Sequence, residues 1–162
     1  MTEGMTVKEL HEVVVRFSGD SGDGMQLAGN IFSTISATEG NGISTFPDYP
    51  ADIRAPQGSL TGVSGYQVHV GDDVDEVLTP GDKCDVLVAM NAAALKTQIK
   101  FAKPTATIII DTNSFKETDL KKAEFRGYDY LEELGIDRDR VVACPITNMV
   151  KEALKDSGLT MK

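Results

Sequence analysis

One stretch near the amino end decides the fold: Val13-Val14-Val15-Arg16-Phe17-Ser18-Gly19, then Asp20-Ser21-Gly22-Asp23-Gly24, then Met25-Gln26-Leu27-Ala28 and on to Thr38. Val13–Phe17 is a compact β-branched and aromatic run closed at once by Ser18-Gly19, which reads as a buried strand. From Met25 to Thr38, Leu27, Ala28, Ile31 and Ile35 fall at helical spacing, so an amphipathic helix with those residues as its apolar face is expected. Gly40-Asn41-Gly42 is a C-terminal stop signal. Strand, glycine loop and helix in this order open a βαβ unit.

Outward from there, Ile43–Phe46 is a candidate second strand. Pro47, Pro50 and Pro56 follow closely and predict a stiff, extended loop rather than helix or central strand. Ser59–Val70 alternates near its end, with Tyr66, Val68 and Val70 on one face and Gln67 and His69 on the other. That pattern predicts a half-buried strand with antiparallel pairing. Val86–Ala89 is a short buried strand, followed by a helix from about Ala92 to Phe101. Thr107–Ile110 is the next strand, with Asp111-Thr112-Asn113 capping its end, and Val141–Ala143 is a late one. Ile146, Met149, Val150, Ala153 and Leu154 make a final amphipathic helix ending near Gly158. Residues 1–11 are expected to form a flexible arm. Strands alternating with helices predict a single α/β domain over residues 12–162, with a mixed, mostly parallel sheet flanked by helices.

The chain has 162 residues, one domain's worth, and 41% hydrophobic content supports a packed core. Sixteen basic against 25 acidic residues leave a net charge of −9, which argues against nucleic acid and anionic membranes as partners. No apolar stretch approaches the roughly 20 residues that span a bilayer, and the amino end lacks a signal-peptide pattern, so a cytoplasmic location is expected. Cys84 and Cys144 are the two cysteines and His11 and His69 the two histidines, all widely separated. An iron–sulfur cluster or structural zinc site is not expected from so few ligands.

Three motifs are candidates for chemistry. Gly19, Gly22 and Gly24 lie between a strand and a helix N-terminus, where free N–H groups and the helix dipole favour an anion. The spacing matches neither G-x-G-x-x-G nor the Walker pattern, and Asp20 and Asp23 would repel a phosphate unless they turn away. A phosphate cradle and a tight turn with an Asp helix cap both remain open. Gly22-Asp23-Gly24 also resembles the start of a thiamine-diphosphate and magnesium motif, but Asn30 and Asn41 come too early for its second ligand. Arg54, in the proline-braced loop, could present a planar cation to a carboxylate or phosphate, or pair locally with Asp48 or Asp52. Asn91 follows a buried strand and opens a helix, so it is a helix cap by default and a ligand contact by position. His69 and Cys84 have no obvious catalytic partner and read as structural. Asp72–Glu76 reads as a solvated acidic turn.

The runs VVVRFSGDSGDGMQLAGNIFS, TFPDYPADIRAPQGSLTGVSGYQVHVG and CDVLVAMNAAALK resemble the gamma domain of 2-oxoacid:ferredoxin oxidoreductases, over about residues 12–115. The resemblance is to the branch in which this domain is the N-terminal part of the alpha subunit of a 2-oxoglutarate oxidoreductase. The broader family reads G-x-G-G-Q-G at the loop and R-G-G after the prolines. Here Ser21 stands for the second glycine, Asp23 for the glutamine, and Ala55-Pro56 follow Arg54.

The resemblance implies a reaction in which a 2-oxoacid and coenzyme A give acyl-CoA, carbon dioxide and reduced ferredoxin. It implies a domain that assists assembly and the coenzyme A side of the site, with Gly19, Ser21, Gly22, Gly24, Arg54 and Asn91 as contacts. Thiamine diphosphate, magnesium and iron–sulfur clusters are expected in partners: a thiamine-partner alpha domain, a thiamine-binding beta subunit, and a ferredoxin-type subunit or ferredoxin. The chain is then either a portion that stops before the thiamine-partner domain or a separately encoded gamma-type subunit, and the match to the fused branch favours the portion. In isolation it is expected to lack turnover and to self-associate. Two other readings stay open: a self-contained nucleotide- or flavin-binding module, and an interface domain without ligand.

Overall fold

The computed structural model describes residues 8–52, 54–155 and 157. Strand β1 (Glu12–Asp20) leads into helix α1 (Met25–Thr38), as the opening stretch predicts. Strands β2 (Gly42–Asp48), β3 (Val63–Gly71), β4 (Cys84–Ala89), β5 (Ala102–Asp111) and β6 (Val141–Cys144) join β1 in one sheet. Its order is β2-β3-β1-β4-β5-β6. β3 is antiparallel to both β1 and β2, while β4, β5 and β6 continue from β1 in parallel. β1 and β2 therefore run the same way, as a βαβ unit requires, but β3 is inserted between them. The helices α2 (Ala92–Gln98), α3 (Glu117–Lys122), α4 (Tyr130–Glu133) and α5 (Ile146–Leu154) complete the mixed α/β domain.

β3 is buried along its whole length rather than half-buried. Its apolar side, Tyr66, Val68 and Val70, packs with Phe17, Phe32 and Ile43 beneath α1. Its polar side is closed by hydrogen bonds: Gln67 accepts from Arg16, and the buried His69 ring bridges Glu12 and the Thr79 carbonyl. Ser59–Gly62, expected as the start of this strand, is a loop and a 3-10 turn instead. Pro104 lies inside β5, where the β4–β5 register shifts between Cys84 and Val86. A residue without an N–H is accommodated at such an irregularity.

Two helical stripes do not lie where periodicity predicts. On α1, Leu27, Ile31 and Ile35 are 64%, 52% and 58% exposed, and the inward face is Met25 and Gly29 with half-buried Phe32. The reason is proximity: a Cβ on Gly29 would stand 2.1 Å from the Tyr66 ring, so the sheet is approached through glycine. On α5, Met149 and Val150 are also exposed. A third apolar surface crosses the sheet. Phe17, Val88, Ile109 and Val142 are register partners on the α1 side. Phe17 lies beneath Phe32, whereas Val88 and Ile109 are half-buried and Val142 is exposed. The opposite side of β4 and β5 is sealed by α2 and α3, leaving Leu87, Ile108 and Ile110 buried.

Gly29→Ala is expected to destabilise the fold by about 1–3 kcal/mol, because the Tyr66 ring is buried and its hydroxyl is fixed to Asn30. Urea unfolding of the two proteins measures it; an unchanged midpoint would show that the helix lifts off without cost.

Candidate functional site

The glycine loop is shaped by its aspartates. The Asp23 carboxylate folds back to accept from the Asp20 N–H at 2.8 Å, and the Asp23 N–H donates to the Asp20 carbonyl at 2.9 Å. A side chain on Gly19 would meet that carboxylate at 2.9 Å, which explains a glycine there. Gly24 is the N-cap of α1 in the left-handed conformation (φ 76°), and no side chain caps the helix. The Asp-cap expectation is thus corrected: Asp23 serves the turn, not the helix. Gly22 faces open space.

The proline-braced loop is tied down at three points. Asp48 pairs with the buried Arg16, the Asp52 N–H donates to Thr61 O at 3.1 Å, and the Gly58 N–H donates to Asp20 Oδ2 at 2.6 Å. Local pairing of Arg54 is also corrected. Asp48 is taken by Arg16, and Asp52 accepts from the Arg54 backbone rather than its guanidinium. The Arg54 side chain is exposed and has no ion pair or hydrogen bond among the described residues.

Between the two loops and the carboxyl ends of β1, β4 and β5 lie adjoining recesses of about 220, 380 and 530 Å³. Open α/β sheets bind ligands at this edge, beside the point where successive connections diverge. Of the residues singled out in the sequence, Ser21 and Gly22 line the recess beneath the proline loop, and Asn91 lines the next one. Asn91 caps α2, accepting from Ala94 N–H at 2.8 Å. Gly19 and Gly24 shape the loop without lining a recess, and Arg54 adjoins the lining residue Ala55. Asp20, Gln57, Asp111 and Thr147 are wall residues that sequence reasoning did not select. Asp111 is fully buried at the end of β5, where it accepts from the Thr147 hydroxyl. The strand-end rule that nominates Asn91 would also have nominated Asp111.

The recess is acidic inside. Burial pushes the Asp23 carboxyl up from its ordinary value, and the charges of Asp20 and Asp111 add to the rise against the Asp20 N–H. Asp20 is 7% exposed, and its Oδ1 has no hydrogen-bond partner among the described residues. Among the described residues, Lys122 is the one cation on the walls. No three His, Cys, Asp or Glu side chains among the described residues converge as metal ligands. Cys84 begins β4 and Cys144 ends β6, so they occupy opposite ends of the sheet, roughly 20 Å apart by strand rise and register, and both are free thiols. That donor set fits neither a disulfide nor a cluster. Burial pushes the Cys84 thiol up to about 11.

Asp23→Asn is expected to stabilise the protein at pH 7. Ionising Asp23 is harder in the folded state, so its penalty is present above its folded pKa and vanishes below its unfolded one. The advantage over wild type should shrink as pH falls toward 3.8; melting temperatures across pH check this, and a constant difference would refute it. Cys84 should resist thiol reagents at pH 8 until the protein unfolds, which timed labelling with and without denaturant will read.

The pyruvate ferredoxin/flavodoxin oxidoreductase family model matches residues 14–161. The chain is 47% identical over 118 residues to the 2-oxoglutarate oxidoreductase subunit KorA of Mycobacterium tuberculosis, covering 73% of this chain and 18% of that protein. The chain thus spans about a fifth of that relative's length. It superposes with a TM-score of 0.64, at 23% identity, on the 2-oxoglutarate:ferredoxin oxidoreductase of Magnetococcus marinus, solved with 2-oxoglutarate, coenzyme A and succinyl-CoA. That match covers 89% of this chain and 22% of the other. The gamma subunit of a keto/oxoacid ferredoxin oxidoreductase from Geobacter sulfurreducens gives a TM-score of 0.59 at 21% identity, covering 88% and 66%. With most of β1, its glycine loop and the inserted β3 inside the matched span, the chain belongs to the pyruvate ferredoxin/flavodoxin oxidoreductase family.

Proposed function

We propose that this chain is the gamma-domain portion of a cytoplasmic 2-oxoacid:ferredoxin oxidoreductase acting on 2-oxoglutarate, and that it supplies assembly surface and part of the coenzyme A pocket. The identity with KorA supports the substrate assignment. The observation that carries the coenzyme A side is the Arg54 guanidinium, unpaired among the described residues and held beside a recess by a loop tied at three points. A planar guanidinium binds phosphate oxygens in bidentate fashion, and coenzyme A carries phosphates at one end. The amino end of α1, which no side chain caps, adds N–H donors at the glycine loop, and Gly22 there lines the recess.

Thiamine diphosphate with magnesium would supply electron-sink chemistry in the complete reaction, and iron–sulfur clusters would supply electron transfer to ferredoxin. The two distant thiols here do not fit a cluster, so the clusters are assigned to a ferredoxin-type protein, and thiamine diphosphate is assigned to a thiamine-partner alpha domain and a thiamine-binding beta subunit. The assembly role is supported by the half-covered row Val88-Ile109-Val142 and the exposed stripe of α1. Parallel strands are normally covered on both faces, and apolar surface of this extent marks protein contact. The same surface supports self-association of the isolated chain.

Calorimetric titration of the purified chain with coenzyme A should show saturable binding that Arg54→Ala weakens about tenfold, the loss of one charge-assisted contact. Unchanged binding in the variant, or none in the wild type, would overturn the coenzyme A role. Mixed with 2-oxoglutarate, thiamine diphosphate, coenzyme A and an electron acceptor, the chain alone should give no turnover; activity without partners would refute the assignment of catalysis to them.

A further inference from the structure

Helix α1 carries no charged residue over its 14 positions, in a chain that is 25% charged and has a net charge of −9. Its outward ridge, Leu27, Ile31 and Ile35, recurs every four residues, and each of the three is more than half exposed. That ridge is held outward because Gly29 must face the Tyr66 ring. Beside it runs a ridge of smaller residues, Asn30, Thr34 and Thr38. Asn30, Ile31, Thr34 and Ile35 line a shallow apolar depression of about 230 Å³. The hydroxyls of α1 are already satisfied within the helix. Ser33 and Thr34 donate to the Asn30 carbonyl at 3.0 and 2.8 Å, Ser36 to the Phe32 carbonyl at 2.9 Å, and Thr38 to the Thr34 carbonyl at 2.8 Å. Asn30 Oδ1 accepts from the Tyr66 hydroxyl at 2.6 Å. Covering this face therefore strands no hydroxyl donor. A charge-free helix face of this kind has the composition of an interface core.

Charge selects the occupant. A basic partner would be held by acidic side chains, and α1 offers none. A second copy of this chain brings the same net charge of −9, so two copies can meet closely only where neither presents charge. We infer that α1 is the contact between two copies of this chain, packed antiparallel across a two-fold axis at Ile31. This rests on the assembly role proposed above and names the partner. An isologous contact needs a self-complementary surface, and the i±4 ridge of one helix seats beside the i±4 ridge of another in the commonest mode of helix packing. Glu39, exposed at the carboxyl end of α1, sets the order. Parallel helices would bring the two Glu39 carboxylates together, whereas antiparallel helices hold them at opposite ends. One helix face is smaller than the roughly 800 Å² per partner of a stable complex, so the pair is reversible.

Sedimentation equilibrium of the purified chain, from about 1 μM to about 1 mM, should show a monomer–dimer equilibrium. Added salt should tighten it, since salt screens the repulsion between two acidic copies and the contact holds no ion pair to weaken. Ile31→Arg should raise the dissociation constant about tenfold or more, whereas Val142→Arg, on the exposed sheet row, should leave it unchanged. Melting temperatures of the variants serve as the folding control. Crosslinking reads the geometry in a Cys144→Ser background, where the remaining cysteine, Cys84, is buried. On mild oxidation Ile31→Cys should couple to itself, and a mixture of Leu27→Cys and Ile35→Cys should couple more than either alone. Leu27→Cys that couples to itself in preference to Ile35→Cys overturns the antiparallel pair. A chain that stays monomeric at the highest concentration overturns the inference and leaves the assembly role to contacts with other subunits. A dimer that survives Ile31→Arg but is broken by Val142→Arg overturns it and moves assembly to the sheet row. A dimer indifferent to both overturns it together with the assembly role of the two surfaces.

Discussion

A buried guanidinium fixes the centre of this protein. Arg16 lies in the middle of β1, 6% exposed, between an antiparallel and a parallel neighbour. A charge in that position is tolerated only when its donors are satisfied. Arg16 donates to Gln98 at 2.7 Å and to Gln67 at 3.1 Å, pairs with Asp48, and lies over the Phe101 ring at 4.3 Å. Those partners belong to α2, β3, the end of β2 and the turn after α2. One side chain therefore registers four elements against β1, and replacing it by an apolar residue would leave Gln67, Gln98 and Asp48 to find other partners.

The same bond network sets the site. Asp48 closes β2 and begins the proline-braced loop, so the pairing that neutralises Arg16 also anchors the loop's first end. Four residues beyond Arg16, Asp20 closes β1 and anchors the other end of that loop through Gly58. Arg16 and Asp20 share one strand, and the loop spans them. The position of Arg54 is thus fixed by two polar contacts to β1 rather than by apolar packing, which suits a loop that carries a ligand contact over a rigid scaffold.

The polar interior has a counterpart at the far end of β1. The His69 ring bridges Glu12 and Thr79, joining the first residue of β1 to the segment before β4. It belongs to the strand's amino end, away from the recess. The apolar surfaces left open, on α1, on α5 and along Val88-Ile109-Val142, all lie outside the two core clusters. They are open or only half-covered within the described residues.

Local pattern alone determined much of this protein: the strand at Val13–Phe17, the helix Met25–Thr38 to the residue, the later strands, and Asn91 as a cap. Backbone propensity and turn chemistry act over a few residues, so they are readable in order. The strand order, the burial of β3 on both sides and the exposure of Leu27, Ile31 and Ile35 were decided by tertiary structure. Periodicity finds an apolar stripe but does not say which face meets the sheet. Here Gly29 must face Tyr66, and the stripe is left outside. Likewise the glycine loop announced itself in sequence as a turn at a helix start. Its acidic interior came from Asp111, brought beside Asp20 and Asp23 by strands that pair only in the folded sheet. Charge at a site is a sum over neighbours in space, and that sum is fixed only when the strands are in register.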